Sequence, residues 1–347
     1  MAAPRFLPYE ELVRTVTVDV SKHPRDLSRI YCERLQVSRV TANRYIQRLE
    51  RDGWIARSGP STHPVYAPGY KRRLSAVLPI AGLQEDVPWE EQFAPYIAVP
   101  SNVRNILQHG FTEMVNNAID HSEGSDVFLF LTQDQADLRL TVSDNGIGIF
   151  KKISDALHLA DLRQAIFELS KGKLTTDPSR HSGEGVFFTS RMFDAFSIHA
   201  NGLRFEHFTS MAHDWLGEQI GSFSDGTTVA MSIPVNSTRT SSAVFEQYMN
   251  APEDYGFNKT VVPMKLARFG DEQLVSRSQA KRLIARFDRF KVVMLDFDGV
   301  TDVGQAFADE LFRVYAREHP DVQLVPINYS EQIERMWLRA TNSGIGS

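Results

Sequence analysis

A helix that carries polar residues along one face and apolar residues along the other must turn the polar face to water or to a ligand. Residues 113–121 pose that choice sharply. In Glu113-Met114-Val115-Asn116-Asn117-Ala118-Ile119-Asp120-His121, the residues Glu113, Asn117 and His121 fall at i, i+4 and i+8, on one helical face. Met114, Val115, Ala118 and Ile119 supply the packing side. A carboxylate and a carboxamide beside apolar neighbours cost desolvation unless they find a partner. Mg²⁺ with phosphate oxygens is one such partner, because Mg²⁺ takes oxygen ligands and retains waters. Bulk water is the other, and this run alone does not choose between them.

Two further pieces follow. Asp144-Asn145-Gly146-Ile147-Gly148 stands directly after the strand expected at Leu138–Ser143. A carboxylate at a strand end can accept a hydrogen bond from an exocyclic amine, and glycines let the backbone turn close to a flat ring. The same residues also make good turn chemistry. Ser182-Gly183-Glu184-Gly185-Val186-Phe187 opens a helix, where free backbone N–H groups favour phosphate oxygens. These glycines follow no strand of a βαβ unit, so a Rossmann site is excluded, and no Gly-x4-Gly-Lys-Ser/Thr occurs, so a P-loop is excluded too.

The order and spacing of the three pieces resemble the N, G1 and G2 boxes of the GHKL ATPases, the Bergerat-fold superfamily of gyrases, Hsp90 chaperones, histidine kinases and MutL. The match covers roughly residues 99–235, and the run Glu113-x3-Asn117-Ala118-x2-His121 is most similar to the anti-sigma-factor serine kinases. The resemblance implies ATP and Mg²⁺ as ligands. It makes Asn117 the Mg²⁺ ligand and Glu113 the general base that orients the nucleophile. Asp144 would read the adenine amine, Gly146 and Gly148 would wall the adenine pocket, and Gly183 and Gly185 would cradle phosphates. Thr227 would make a second polar contact near adenine. His121 would pack beside the site or assist it. The Lys-rich, poorly periodic stretch 151–181 would be a lid, from which Lys171 and Lys173 could reach phosphates. No His-Glu-x3-Pro phosphoacceptor box occurs, which disfavours a sensor histidine kinase.

Charge divides the chain. Residues 1–75 hold 14 Lys and Arg against 7 Asp and Glu, whereas the remainder holds 24 against 36. A basic segment on an acidic body suggests a nucleic-acid-binding module joined to something else. The pattern within it is helix, short turn, helix, then hairpin, which resembles the winged helix-turn-helix modules of bacterial regulators. Ser38 is placed to cap the second helix of the pair. Val40, Ile46 and Leu49 are expected to face inward. Arg39, Asn43 and Arg44 suit base edges, and Arg48, Arg51 and Arg57 suit phosphates. A palindromic DNA site would imply a homodimer.

The last unit alternates strand and helix: strands at 259–265, 290–296 and 322–327, helices at 277–287, 304–318 and 330–340. Asp296-Phe297-Asp298-Gly299-Val300-Thr301 has the look of a haloacid-dehalogenase nucleophile motif, but only 46 residues follow Thr301, too few for the rest of such a site. Leu295–Leu311 resembles the STAS-like DUF4325 domains found after such ATPase domains, which implies a protein contact there. Antagonists of that fold carry a phosphorylatable Ser where this chain has Gly304-Gln305-Ala306-Phe307. Asp296 and Asp298 are expected to be strand-end structure.

The fold class is therefore an α/β multidomain chain: winged helix-turn-helix at 1–75, linker at 76–98, GHKL α/β sandwich with helices on a mixed sheet at 99–238, linker at 239–256, and a βαβαβα STAS-like domain at 257–347. One cysteine, Cys32, excludes an internal disulfide framework, and no run approaches eighteen apolar residues, so a cytoplasmic protein with no membrane span is expected. Two functions are expected in order: a nucleotide-controlled DNA-binding transcriptional regulator with slow ATPase activity, and a protein Ser/Thr kinase acting on a partner's STAS-like domain.

Overall fold

The computed structural model describes residues 8–174, 183–210, 215–218, 225–249, 257–267 and 273–342. Ser182 and positions 175–181 of the expected lid lie outside the described residues. The chain forms two compact units: one from residues 1–146 and 228–238, the other from 147–227 and 239–347.

The first unit opens with α1 (Pro8–Lys22), α2 (Leu27–Leu35) and α3 (Arg39–Arg51). Leu12, Val16 and Val20 repeat every four residues along α1 and meet Leu27 and Tyr31 of α2 and Ala42, Ile46 and Leu49 of α3. Between α2 and α3 the chain reverses at Gln36, whose φ of 53° ends the helix. Ser38 then caps α3, its hydroxyl accepting from the Thr41 N–H at 3.3 Å. A fork of hydrogen bonds from Arg34 to Asp19, at 2.6 and 2.7 Å, ties α2 to α1. β1 (Ile55–Ser58) and β2 (Val65–Pro68) form the antiparallel hairpin. One inward position was misread: Val40 is 63% exposed, because Ala42, not Val40, completes the inward stripe of α3.

The stretch 76–98, expected as a linker, is built into the body. β3 (Arg72–Pro79) pairs antiparallel with β4 (Asp126–Gln133) along its whole length. Trp89 and Phe93, in a short, wide helical turn, then set their rings 5.4 and 5.1 Å from that of Phe111. The prolines that suggested a linker stand at element ends, where a missing N–H costs nothing. α4 (Ser101–His121) buries Val103, Leu107, Phe111, Met114 and Ala118 and packs on β5 (Asp137–Asp144). β5 pairs on one side with β4 and on the other with β9 (Thr227–Pro234). Strict alternation along β4, β5 and β9 sends Val127, Leu129, Leu131, Leu138, Leu140, Val142, Met231 and Ile233 into the core.

The second unit begins with α5 (Ile149–Leu157) and α6 (Leu162–Lys171), so most of the stretch read as poorly periodic is helical as far as residue 171. α7 (Gly185–Met192) follows, then the antiparallel strands β6 (Ala195–Ala200), β7 (Leu203–Phe208) and β8 (Trp215–Glu218), and α8 (Ser241–Gln247). The last part is a parallel three-stranded sheet in the order β10 (Lys259–Pro263), β11 (Val292–Asp296), β12 (Gln323–Ile327). Its helices are α9 (Arg277–Ile284), α10 (Gln305–Asp309), which continues through Glu310–Tyr315 into α11 (Ala316–Glu318), and α12 (Glu331–Asn342). Asp296 is strand-end structure as expected: its Oδ1 accepts from the Asp298 N–H and from Asn328 Nδ2, both at 3.0 Å. Among the described residues no helix is long and apolar enough to cross a membrane.

Candidate functional site

The candidate residues divide between the units. Glu113, Asn117, His121, Asp144 and Gly146 belong to the first; Gly148, Lys173, Gly183, Gly185 and Thr227 belong to the second.

In the first unit, Glu113, Asn117 and His121 lie on successive turns of α4, all half-buried, while Met114, Val115 and Ala118 sink into the core. The helix ends against the Asp144-Asn145-Gly146 turn. A Cβ on Gly146 would overlap the Ser122 carbonyl, so only glycine lets the turn approach the residue that follows His121. Asp144 is buried at the end of β5, and its Oδ1 accepts the Gly146 N–H at 2.9 Å. Asn145 points the other way, its Oδ1 accepting from the Ser125 and Asp126 N–H groups at 2.9 and 3.0 Å. Ser143 and Thr228, chain neighbours of Asp144 and Thr227, share a 2.6 Å hydroxyl contact.

In the second unit, Gly148 has φ 85°, and a Cβ there would collide with the Asn201 side chain. Asn201 pins both flanks of that glycine: Nδ2 donates to the Ile147 carbonyl at 2.9 Å and Oδ1 accepts from the Lys151 N–H at 3.1 Å. Sequence reasoning missed Asn201. Its only signal was Asn201-Gly202, which reads as the turn of the β6–β7 hairpin. Thr227 is buried, and its hydroxyl accepts the Ile149 N–H at 2.9 Å, so it fixes the start of α5. Gly183 accepts the Leu174 N–H at 3.0 Å through its carbonyl, and Gly185 opens α7. Burial pushes the Glu184 carboxyl, between the two glycines, above the usual carboxylate range, with Lys173 opposing that shift.

The lid lysines behave differently from expectation. Lys171 is fully buried and Lys173 Nζ donates to the Arg289 carbonyl at 2.9 Å, so the structure commits both ammonium groups to protein partners. The cause is the packing of α6 on the last α/β part, which supplies carbonyl acceptors for both.

The donor chemistry fits Mg²⁺ as a guest of nucleotide rather than of a protein cage. The Asn117 Nδ2 faces Met114 Sδ at 4.0 Å, which leaves the amide oxygen as the ligating atom. Among the described residues no group of three His, Cys, Asp or Glu side chains could hold a metal.

Residues 102–236 match the family of histidine kinase-, DNA gyrase B- and HSP90-like ATPases, so the chain carries a GHKL-type ATPase domain. Residues 279–334 match the STAS-like domain of unknown function DUF4325, which places a small STAS-like domain after it. No curated relative matches the chain. The ATPase domain supports ATP binding and a regulatory, ATPase- or kinase-like role.

Proposed function

We propose that the chain is a nucleotide-controlled DNA-binding regulator in which ATP, with Mg²⁺, biases the protein between states of different DNA affinity. The observation that carries the DNA part is the exposed face of α3. Arg39, Val40, Asn43, Arg44, Gln47, Arg48 and Arg51 all face outward while Ala42, Ile46 and Leu49 hold the helix in its core. Arg39 and Arg44, near the helix start, make no hydrogen bond or ion pair among the described residues, which leaves both guanidinium groups available to base edges. Asn43 is pre-oriented by Ser28 Oγ, which donates to its Oδ1 at 2.8 Å. Arg48 lies over the Tyr9 ring at 3.7 Å and, with Arg51, flanks Asp52, positions suited to the phosphate backbone. A winged helix-turn-helix reading of residues 1–75 makes α3 the recognition helix.

On the nucleotide side, Glu113 would orient the attacking group, Asn117 would hold Mg²⁺, and Asp144 would receive the adenine amine. The cation, when bound, would neutralise phosphate charge. ATP can shift the DNA-binding equilibrium only by binding the two states with different affinity. The test is selection from random DNA followed by fluorescence anisotropy across a salt series, wild type beside Arg39→Ala/Arg44→Ala, with and without ATP. The proposal expects salt-dependent, sequence-selective binding that the variant loses and ATP alters. No enrichment and no salt dependence would remove it.

The second reading is a serine/threonine kinase acting on a partner's STAS-like domain. It is favoured by Glu113 and Asn117 on one face of α4, and by a STAS-like domain whose own strand-to-helix turn carries Gly304 in place of a hydroxyl. Transfer of γ-label from ATP to protein in a lysate, absent with Glu113→Ala, would select it over the regulator.

A further inference from the structure

The lid helix α6 is tied to the STAS-like domain by an ionic triad closed off from water. Lys171, 0% exposed, donates from Nζ to Glu168 Oε1 at 2.6 Å and to the Ala285 carbonyl at 3.0 Å. Arg286 donates to the other oxygen of Glu168 at 2.7 Å and to the Gly172 carbonyl at 2.6 Å. Thr260, on β10, donates to the Lys171 carbonyl at 2.6 Å. One step further along the chain the pairing is reciprocal. Lys173 Nζ reaches the Arg289 carbonyl at 2.9 Å, and Arg289 Nη1 reaches the Lys173 carbonyl at 2.8 Å. Lys173 also lies 5.0 Å from the Phe290 ring centre.

These contacts are many and directional, and most fall on backbone carbonyls, so they specify one position of the chain from 168 to 173. Beside them a cavity lined by Leu159, Gln164, Phe167, Ala267, Arg282 and Leu283 lies between α6 and α9. A contact specified by directional polar bonds beside a cavity is one that can open locally while the rest of the fold stays closed.

We propose that the STAS-like domain latches the lid through Glu168, Arg286 and Arg289 and so withholds Lys173 from nucleotide phosphates, which makes latching and ATP binding compete. The inference rests on the ATP-binding role of residues 102–236, not on DNA binding. Arg286 and Arg289 act here as positioning residues: they touch the lid and set which acceptors Lys173 finds. Anything that engages the STAS-like surface around 285–290 would release the lid and raise ATP affinity, and ATP would by reciprocity weaken the latch. If the competent state is a minor one, apparent affinity is reduced by its fraction, and loosening the latch restores it.

The test uses the full chain. Equilibrium dissociation constants for ATP and for AMP are measured with Mg²⁺ for wild type, Arg289→Ala and Arg286→Lys, with Arg313→Ala as a control in the same domain. Arg289 is exposed and Arg286→Lys keeps the charge, so these variants spare the core. Circular dichroism verifies folding. The proposal expects ATP to bind roughly five-fold or more tightly in both latch variants, with AMP and the control unchanged, since AMP lacks the phosphates Lys173 would meet. ATP affinity equal to wild type in the folded variants, or a change shared equally by AMP, would overturn the latch. Absence of ATP binding even in wild type would overturn the ATP-binding role itself and the latch with it.

Discussion

Two helices in this chain carry their cations in opposite ways. On α3 the side chains of Arg39 and Arg44 stand in solvent, and those of Arg48 and Arg51 are exposed beside Asp52. On α6 the ammonium of Lys171 is sealed inside a triad with Glu168 and Arg286. A solvated cation costs the fold little and remains available to a polyanion; a buried one is committed to its partners, and the surrounding structure depends on those partners. Basic residues in a sequence therefore say nothing of their use until their burial is known.

The sharpest way to break this contrast is to remove a counter-charge. Glu168→Ala leaves Lys171 and Arg286 facing each other without a carboxylate and should destabilise the second unit by about 3–5 kcal/mol, read as a fall in urea midpoint. Arg44→Ala should leave that midpoint unmoved. A neutral Glu168→Ala would show that the triad does not hold α6. Next in size, each of Arg39→Ala and Arg44→Ala should weaken specific DNA binding by about 1–3 kcal/mol, while Arg51→Ala should weaken it evenly across sequences and flatten the salt slope by about one. Equal losses on specific and random DNA for Arg44→Ala would move that residue to the phosphate class.

Titration separates the two units by pH window, with the same sign in both. Burial lowers the Lys171 ammonium from 10.5 to about 8, against the pull of Glu168. Between those values the unfolded chain binds the extra proton, so stability should rise as pH climbs from about 8 to 10.5, by at most about 1.4 kcal/mol per pH unit. Lys171→Met should erase that slope in pH-dependent denaturation. His109, on α4, is held below its ordinary 6.5 by burial, so the first unit should likewise be less stable at lower pH, here as pH falls below about 6.5, and His109→Gln should blunt the loss. The smallest effect belongs to Ser38→Ala, which removes the cap of α3 and should cost about 1 kcal/mol in thermal denaturation.

Much of this was legible in the residues. The strand and helix order of the STAS-like domain follows the sequence pattern to within a few residues at each boundary, because each strand there is a short apolar run flanked by turns. The polar face of α4 and the glycine turn at Gly146 were readable because a polar stripe interrupts an apolar pattern. α6 was not: Ala165 through Lys171 are all buried, so its last turns have no exposed side and hence no helical period to detect. The contacts that Lys171 and Lys173 make here were hidden too, since their acceptors are carbonyls more than a hundred residues away. Val40 failed because it stands six and nine residues before Ile46 and Leu49, off their helical stripe, which Ala42 at four and seven residues completes.

The pairing of β3 with β4 also bears on how the protein can be cut. A fragment begun at residue 99, where the sequence suggests the ATPase domain starts, would strip β3 from its neighbour. It would leave the backbone donors and acceptors of β4 bare beside Phe128, already 44% exposed. An uncovered, apolar strand edge is a template for self-association, so such a fragment should precipitate where one begun at residue 70 stays dispersed.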